Sequence, residues 1–123
     1  MRYSYSYVRT ETAEIEIDDI GNFSLMATDA LGFTYYLTVK TFDGFSQVMT
    51  YGPIHPDFDT FPSKKQVTQT WERIAFSQKK IDMIINKWLN NPYYGIVHAE
   101  IIDRQALYDG CRSITEYMKN NDF

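Results

Sequence analysis

Polar and apolar residues alternate along the first half of the chain. Tyr3, Tyr5 and Tyr7 are separated by serines, and Ala13, Ile15 and Ile17 alternate with Glu14, Glu16 and Asp18. A period of two sends successive side chains to opposite faces, so each run predicts a half-buried strand. Gly21-Asn22 signals a turn, and residues 22–28 predict a third strand. Asp29-Ala30-Leu31-Gly32 interrupts the pattern, and residues 33–41, rich in Thr, Tyr, Phe and Val, predict the strongest strand. Asp43-Gly44 is a hairpin signal and residues 45–51 return. Together these segments predict an antiparallel meander. Residues 52–63 hold Pro53, Pro56 and Pro62 and predict an irregular connection, with Phe58 and Phe61 turned inward.

From residue 64 the period changes, and residues 64–91 admit two readings. In one, Val67, Trp71, Ile74, Ile81, Ile85 and Trp88 lie along a single long helix, opened by a capping box at Ser63 and Gln66. In the other, residues 67–76 form a strand and a helix begins at Gln78. The second is favoured, because Val67-Thr68-Gln69-Thr70-Trp71 and Ile74 to Phe76 are poor helix formers and good strand formers. Ser77 then serves as N-cap, and Ile81, Ile84, Ile85, Trp88 and Leu89 form an apolar stripe. Asn90-Asn91-Pro92 ends the helix, with Asn suited to a left-handed C-terminal position. Residues 93–102 predict a further strand. A second helix follows, beginning at Arg104 behind Asp103 or near Ser113, with Ile114 and Met118 facing the core in either case. The expected fold is thus α+β: an antiparallel β meander with two helices from the C-terminal half packed on one face, in a single domain over residues 1–123.

Composition narrows the class. With 123 residues, 44% hydrophobic and 23% charged, the chain suits one folded domain with a sizeable core rather than a disordered segment. Cys111 is the one cysteine, so no internal disulfide scaffold is possible. No signal-like apolar region opens the sequence and no apolar run matches a bilayer span, which makes the cytoplasm the expected location and a membrane an unexpected partner. The net charge of -4 is unevenly spread. Residues 1–62 hold three basic groups against nine carboxylates, residues 63–91 six against two, and residues 92–123 three against five. An acidic body therefore carries one basic segment.

Candidate chemistry is sparse. His55, Asp57 and Asp59 share a proline-rich loop, but a metal site needs more ligands on rigid elements, and a polar loop with local hydrogen bonds is the ordinary reading. His98 and Glu100 lie two residues apart on a predicted strand and so share a face; an exposed ion pair is the plainer reading, acid–base work the sharper one. Cys111 stands at helical spacing between Leu107 and Ile114, which suits a small buried hydrophobe better than a nucleophile. The glycines never cluster into a phosphate loop and no Cys/His spacing suggests zinc, so neither cofactor nor metal is expected. Two charged surfaces remain as binding candidates. Glu14, Glu16 and Asp18 offer a carboxylate run able to mimic a phosphate backbone, and Lys79, Lys80 and Lys87 lie on the solvent side of the predicted helix. Trp71, Phe76 and Trp88 near the basic segment add a stacking reading, although Trp88 belongs to the apolar stripe.

These features describe an interaction protein better than an enzyme. The specific expectation is an inhibitor of phage or mobile-element type that binds a host nucleic-acid-handling complex, similar in kind to anti-CRISPR proteins. That expectation rests on size and class, with a protein or nucleoprotein partner. The alternatives are a small hydrolase-like enzyme using His98 and Glu100, and a nucleic-acid-binding domain using residues 64–87. If Cys111 packs as a hydrophobe, its thiol will react slowly with a thiol reagent in native protein and quickly in denaturant; equal rates would place it at the surface.

Overall fold

Alternation becomes sheet wherever one side of the strand can be buried. The computed structural model describes residues 1–8, 11–54 and 68–103. Its elements are β1 (Arg2–Val8), β2 (Glu11–Glu16), β3 (Asn22–Asp29), β4 (Thr34–Phe42), β5 (Phe45–Ile54), β6 (Thr68–Ala75), α1 (Gln78–Leu89) and β7 (Ile96–Ile101). Five strands form one antiparallel sheet in the order β6-β5-β4-β3-β7, and β1 and β2 form a separate two-stranded hairpin. The protein is thus mostly β, an α+β fold in the broad sense, with α1 the one helix among the described residues. The second helix expected beyond Asp103 lies outside the described residues, as do Cys111 and residues 55–67.

The first two strands leave the expected continuous meander for a physical reason. The hairpin is apolar on one side: Tyr3, Tyr5, Ile15 and Ile17 are buried while Arg2, Ser4, Glu14 and Glu16 are exposed. It therefore lies over the core as a lid. Tyr3 donates its hydroxyl to the Asp82 carboxylate on α1. Tyr5 accepts the Ala99 N–H of β7 at 3.1 Å, and Asn90 Nδ2 donates to the Ser4 carbonyl at 3.1 Å. The Tyr5 contact satisfies an amide on the sheet's edge strand, where an unpaired backbone group would invite another chain. The expected inward stripe holds at Tyr3 and Tyr5, and the side chain of Tyr7 falls outside the described residues.

One sheet face and one helix stripe make the core. Phe23, Leu25 and Ala27 of β3 stand opposite Val39, Leu37 and Tyr35 of β4, and all six are buried. Val48 of β5 and Ile96 and Ala99 of β7 extend that face. Ile81, Ile85, Trp88 and Leu89 of α1 close over it, and Ile84 lies half-buried at the margin. Four such side chains at about 2 kcal/mol each amount to ~8 kcal/mol before entropy. Ser77 caps the helix as expected, its hydroxyl accepting the Lys80 N–H at 3.4 Å.

The turns follow their chemistry. Asp43 and Gly44 both have positive φ, 54° and 78°, as a type I′ hairpin requires. The Asp29 carboxylate accepts from the Leu31 and Phe33 amides at 2.9 and 3.0 Å and so folds the β3–β4 connection.

Three boundaries differ from expectation. β5 continues through Gly52 and Pro53 to Ile54, because its pairing with β4 shifts at a bulge between Thr34 and Tyr36. A Cβ on Gly52 would stand 2.8 Å from the Thr34 carbonyl oxygen, so only glycine allows that approach. β7 begins at Ile96 rather than near Tyr93, because Asn91 holds a turn: its side-chain oxygen accepts from Tyr93 at 2.9 Å and its carbonyl from Tyr94 at 3.1 Å. The left-handed residue that follows the helix is Gly95, at φ 63°, and not Asn90, at φ −109°.

Trp88 is 5% exposed and belongs to the core of sheet, hairpin and helix. Trp88→Ala is expected to cost about 3–5 kcal/mol in denaturant unfolding. A loss below about 1 kcal/mol would remove the stripe from the core.

Candidate functional site

The charged residues named from the sequence separate into three places. Glu14 and Glu16 project from the outer side of β2, where the Arg2 guanidinium lies 3.6 Å and 4.0 Å from their carboxylates. All three side chains are exposed, and such pairs contribute little to stability. Asp18 is not part of that strip. It lines a hollow of about 330 Å³ with Asp19, Asp103, Phe23 and Ile101. The Asp19 carboxylate is already used by the chain, accepting the Gly21 N–H at 2.9 Å.

The lysines of α1 separate as well. Lys80 and Lys87 border a groove of about 570 Å³ between α1 and β6, whereas Lys79 is exposed beyond it. Ile74 from β6 and Met83 and Ile84 from α1 supply its apolar surface; Glu72 and Asn86 complete the lining. Helical spacing explains the grouping. Positions 80, 83, 84 and 87 fall at i, i+3, i+4 and i+7 along one side of the helix. Period two on β6 sends Glu72 and Ile74 to the same side of the sheet. Met83 is 62% exposed. An unbranched thioether in an open groove can adapt to differently shaped partners. The sequence named the lysines but not this floor; the signal was Ile74, an apolar side chain on the same face of β6 as the exposed Glu72.

Sequence reasoning named Trp71 as a stacking candidate but not the residues of β4 and β5 that share its side of the sheet. Trp71 and Arg73 alternate with Glu72 and Ile74, so they face away from α1, on the same side as Phe45 of β5 and Phe42 and Lys40 of β4. Trp71 is 63% exposed. The Arg73 guanidinium lies over the Phe45 ring at 4.4 Å, and the Lys40 ammonium over Phe42 at 5.8 Å. Farther along this face, Ser24, Thr38, Met49 and Tyr51 are buried, so the sheet carries buried side chains on both sides.

The candidates for catalysis and metal binding stand differently. His98 Nε2 lies 3.7 Å from the Glu100 carboxylate, and both side chains are about half exposed. The pair shares a strand face as expected but lines none of the described cavities. His55, Asp57 and Asp59 lie outside the described residues. Among the described residues, no three His, Cys, Asp or Glu side chains stand together in a way that could hold a metal ion. No described helix is long and apolar enough to cross a membrane.

Two tyrosines have displaced hydroxyl pKa values, and both do structural work. Burial first, and then the hydrogen bond to Asp82 and that residue's negative charge, raise Tyr3 well above its ordinary value. Tyr35 is pushed up to about 12, first by burial and then by the charge of Asp29, whose Oδ2 accepts its hydroxyl at 3.1 Å. The Tyr35 ring also packs against Tyr94, with centroids 4.5 Å apart. These shifts mark a hairpin clamp and a turn clamp, not a cleft poised for proton transfer.

Comparison with protein-family models, curated proteins and solved structures finds no match.

The raised tyrosines make stability fall at alkaline pH. A raised folded-state value favours the neutral hydroxyl, so the stabilisation is full below the unfolded value of about 10 and is lost as pH rises through the folded value. Unfolding free energy is expected to decline between pH 10 and about 12, where Tyr35 ionises. Tyr35→Phe should reduce the slope in that window, the remainder coming from Tyr3. An unchanged slope in the variant would show that the Asp29–Tyr35 contact contributes nothing.

Proposed function

We propose that this is a non-enzymatic interaction protein that docks onto an acidic surface of a protein partner through the groove between β6 and α1. The observation that carries this reading is the groove itself: exposed Met83 with Ile74 and Ile84, bordered by Lys80 and Lys87. Apolar contact supplies affinity at such a surface, while the bordering lysines set encounter rate and orientation. Glu72 is the one carboxylate among the described lining residues, so the surface favours a partner that brings negative charge around an apolar anchor.

The narrower form of the proposal is an inhibitor of phage or mobile-element type that occupies a host nucleic-acid-handling complex. Its support is small size together with separated acidic and basic surfaces: Glu14 and Glu16 on the hairpin, Lys80 and Lys87 at the groove. A nucleoprotein partner presents both signs of charge, and either surface could steer the encounter. The solvent-exposed setting of His98 and Glu100 weighs against the enzyme alternative, since acid–base catalysis gains most where water is excluded.

Pull-down with the intact protein, followed by binding kinetics on the recovered complex, tests the reading. Reversing Lys80 and Lys87 to Glu together is expected to slow association about tenfold or more at low salt and to flatten its salt dependence. Reversing Glu14 and Glu16 to Lys should produce the larger effect if the hairpin is the docking face instead. If neither double reversal alters partner binding, while His98→Ala abolishes an activity of the isolated protein, the small-enzyme reading replaces this one.

A further inference from the structure

The geometry points to a second binding surface on the sheet face turned away from α1: a platform for single-stranded nucleic acid built from Trp71, Arg73, Phe45, Phe42 and Lys40. Register places these residues in successive cross-strand rows. Trp71 pairs with Met49 in one row. Arg73, Gln47 and Lys40 form the next, and Phe45 and Phe42 the one after. Rows on one face of a strand are about 6.6 Å apart, so an exposed indole, a pair of cations and a pair of phenyl rings follow one another across about 13 Å.

That alternation is the chemistry of a single strand. Bases present flat aromatic faces and phosphates present negative charge, and proteins that hold single strands combine aromatic stacking with basic side chains. Trp71 is the most open ring, at 63% exposed, while Phe42 and Phe45, 49% and 42% exposed, serve as supports for the cations. The cations stand over rings, Arg73 at 4.4 Å from the Phe45 centroid and Lys40 at 5.8 Å from that of Phe42. A guanidinium supported over a ring can offer its outer side to a base while its N–H groups remain available to phosphate.

Charge across the face supports the choice of occupant. On β4, β5, β6 and their connecting turn, the described carboxylates are Asp43, in the turn, and Glu72, which points to the opposite face. Glu100 shares the platform's face but stands on β7, at the far edge of the sheet order. The positive end of the face therefore coincides with its exposed rings. The platform shares no residue with the groove between β6 and α1, so the two surfaces can be tested apart.

The experiment is a titration of the intact protein with a short oligothymidylate and with duplex DNA of the same length, read by oligonucleotide anisotropy and by tryptophan fluorescence. Trp71 is exposed and Trp88 buried, so stacking should quench Trp71 emission. Expected are preferential binding of the single strand, weakening with salt, and a loss of about tenfold or more for Trp71→Ala and for Arg73→Ala. Trp71→Phe should restore most of the Trp71→Ala loss, because a smaller ring still stacks. The Lys80, Lys87 double reversal should leave oligonucleotide binding within about twofold. Circular dichroism of each variant checks the fold; since Trp71 and Arg73 are exposed, native spectra are expected. The proposal is overturned if oligothymidylate neither binds nor quenches at low salt. It is equally overturned if the groove reversal weakens binding as much as Trp71→Ala, or if an acidic protein protects Trp71 from quenching agents and the oligonucleotide does not.

Discussion

On one side of the sheet, the described elements are arranged around the burial of one helical stripe. Ile81, Ile85, Trp88 and Leu89 must leave water together, and a single sheet face cannot enclose them. The hairpin supplies the remaining wall through Tyr3, Tyr5, Ile15 and Ile17, which join the same core. Its position is then fixed by polar contacts that only this packing brings into range: Tyr3 with Asp82, Asn90 with the Ser4 carbonyl, Tyr5 with the Ala99 amide. Once the stripe faces inward, the lysines of α1 face outward, and Ile84 is left at the boundary where the groove opens.

The second consequence comes from the period of the strand. A stretch that looks uniformly basic in sequence is divided by β6 into two surfaces. Glu72 and Ile74 turn towards α1; Trp71 and Arg73 turn away from it. The tryptophan and the helix lysines, neighbours along the chain, therefore never share a site. The acidic run is divided in a similar way, since β2 ends at Glu16: Glu14 and Glu16 stay beside Arg2, and Asp18 enters the hollow with Asp19 and Asp103. Charge counted by segment gives the sign of a region but not the composition of a surface.

The elements with strong periodicity were legible. Strand alternation gave β1 to β4 closely, and the change from period two to 3.6 at Ser77 placed the helix boundary, because a β-branched run cannot be a good helix and a serine before Gln78 is a good cap. What failed was local hydrogen bonding that composition does not reveal. The Asn91 turn delayed β7, and the bulge at Gly52 carried β5 past a proline expected to end it. The separation of the hairpin from the meander was also hidden, since alternation says that one face is buried and not which surface buries it. The groove and the aromatic platform were invisible for the same reason: their residues come from different elements, and register across β4, β5 and β6 is what assembles them.

A protein with net charge -4 can still present positive binding surfaces, because attraction is decided over a screening distance and not over the whole chain. At physiological salt that distance is about 8 Å, comparable to the spacing between rows of side chains on one sheet face. Within it, Arg73 and Lys40 act with the rings they cover, and Lys80 and Lys87 act with Met83 and Ile84. The carboxylates of the hairpin lie on another element and add to the total without joining either group. Their part is at longer range: charges of opposite sign on separate elements give the molecule an uneven field that orients it in the field of any charged partner. In the two proposed complexes the division of labour is the same: the charges set the rate of encounter, and the exposed ring of Trp71 on one surface and the thioether of Met83 on the other are the contacts whose loss would raise the dissociation rate.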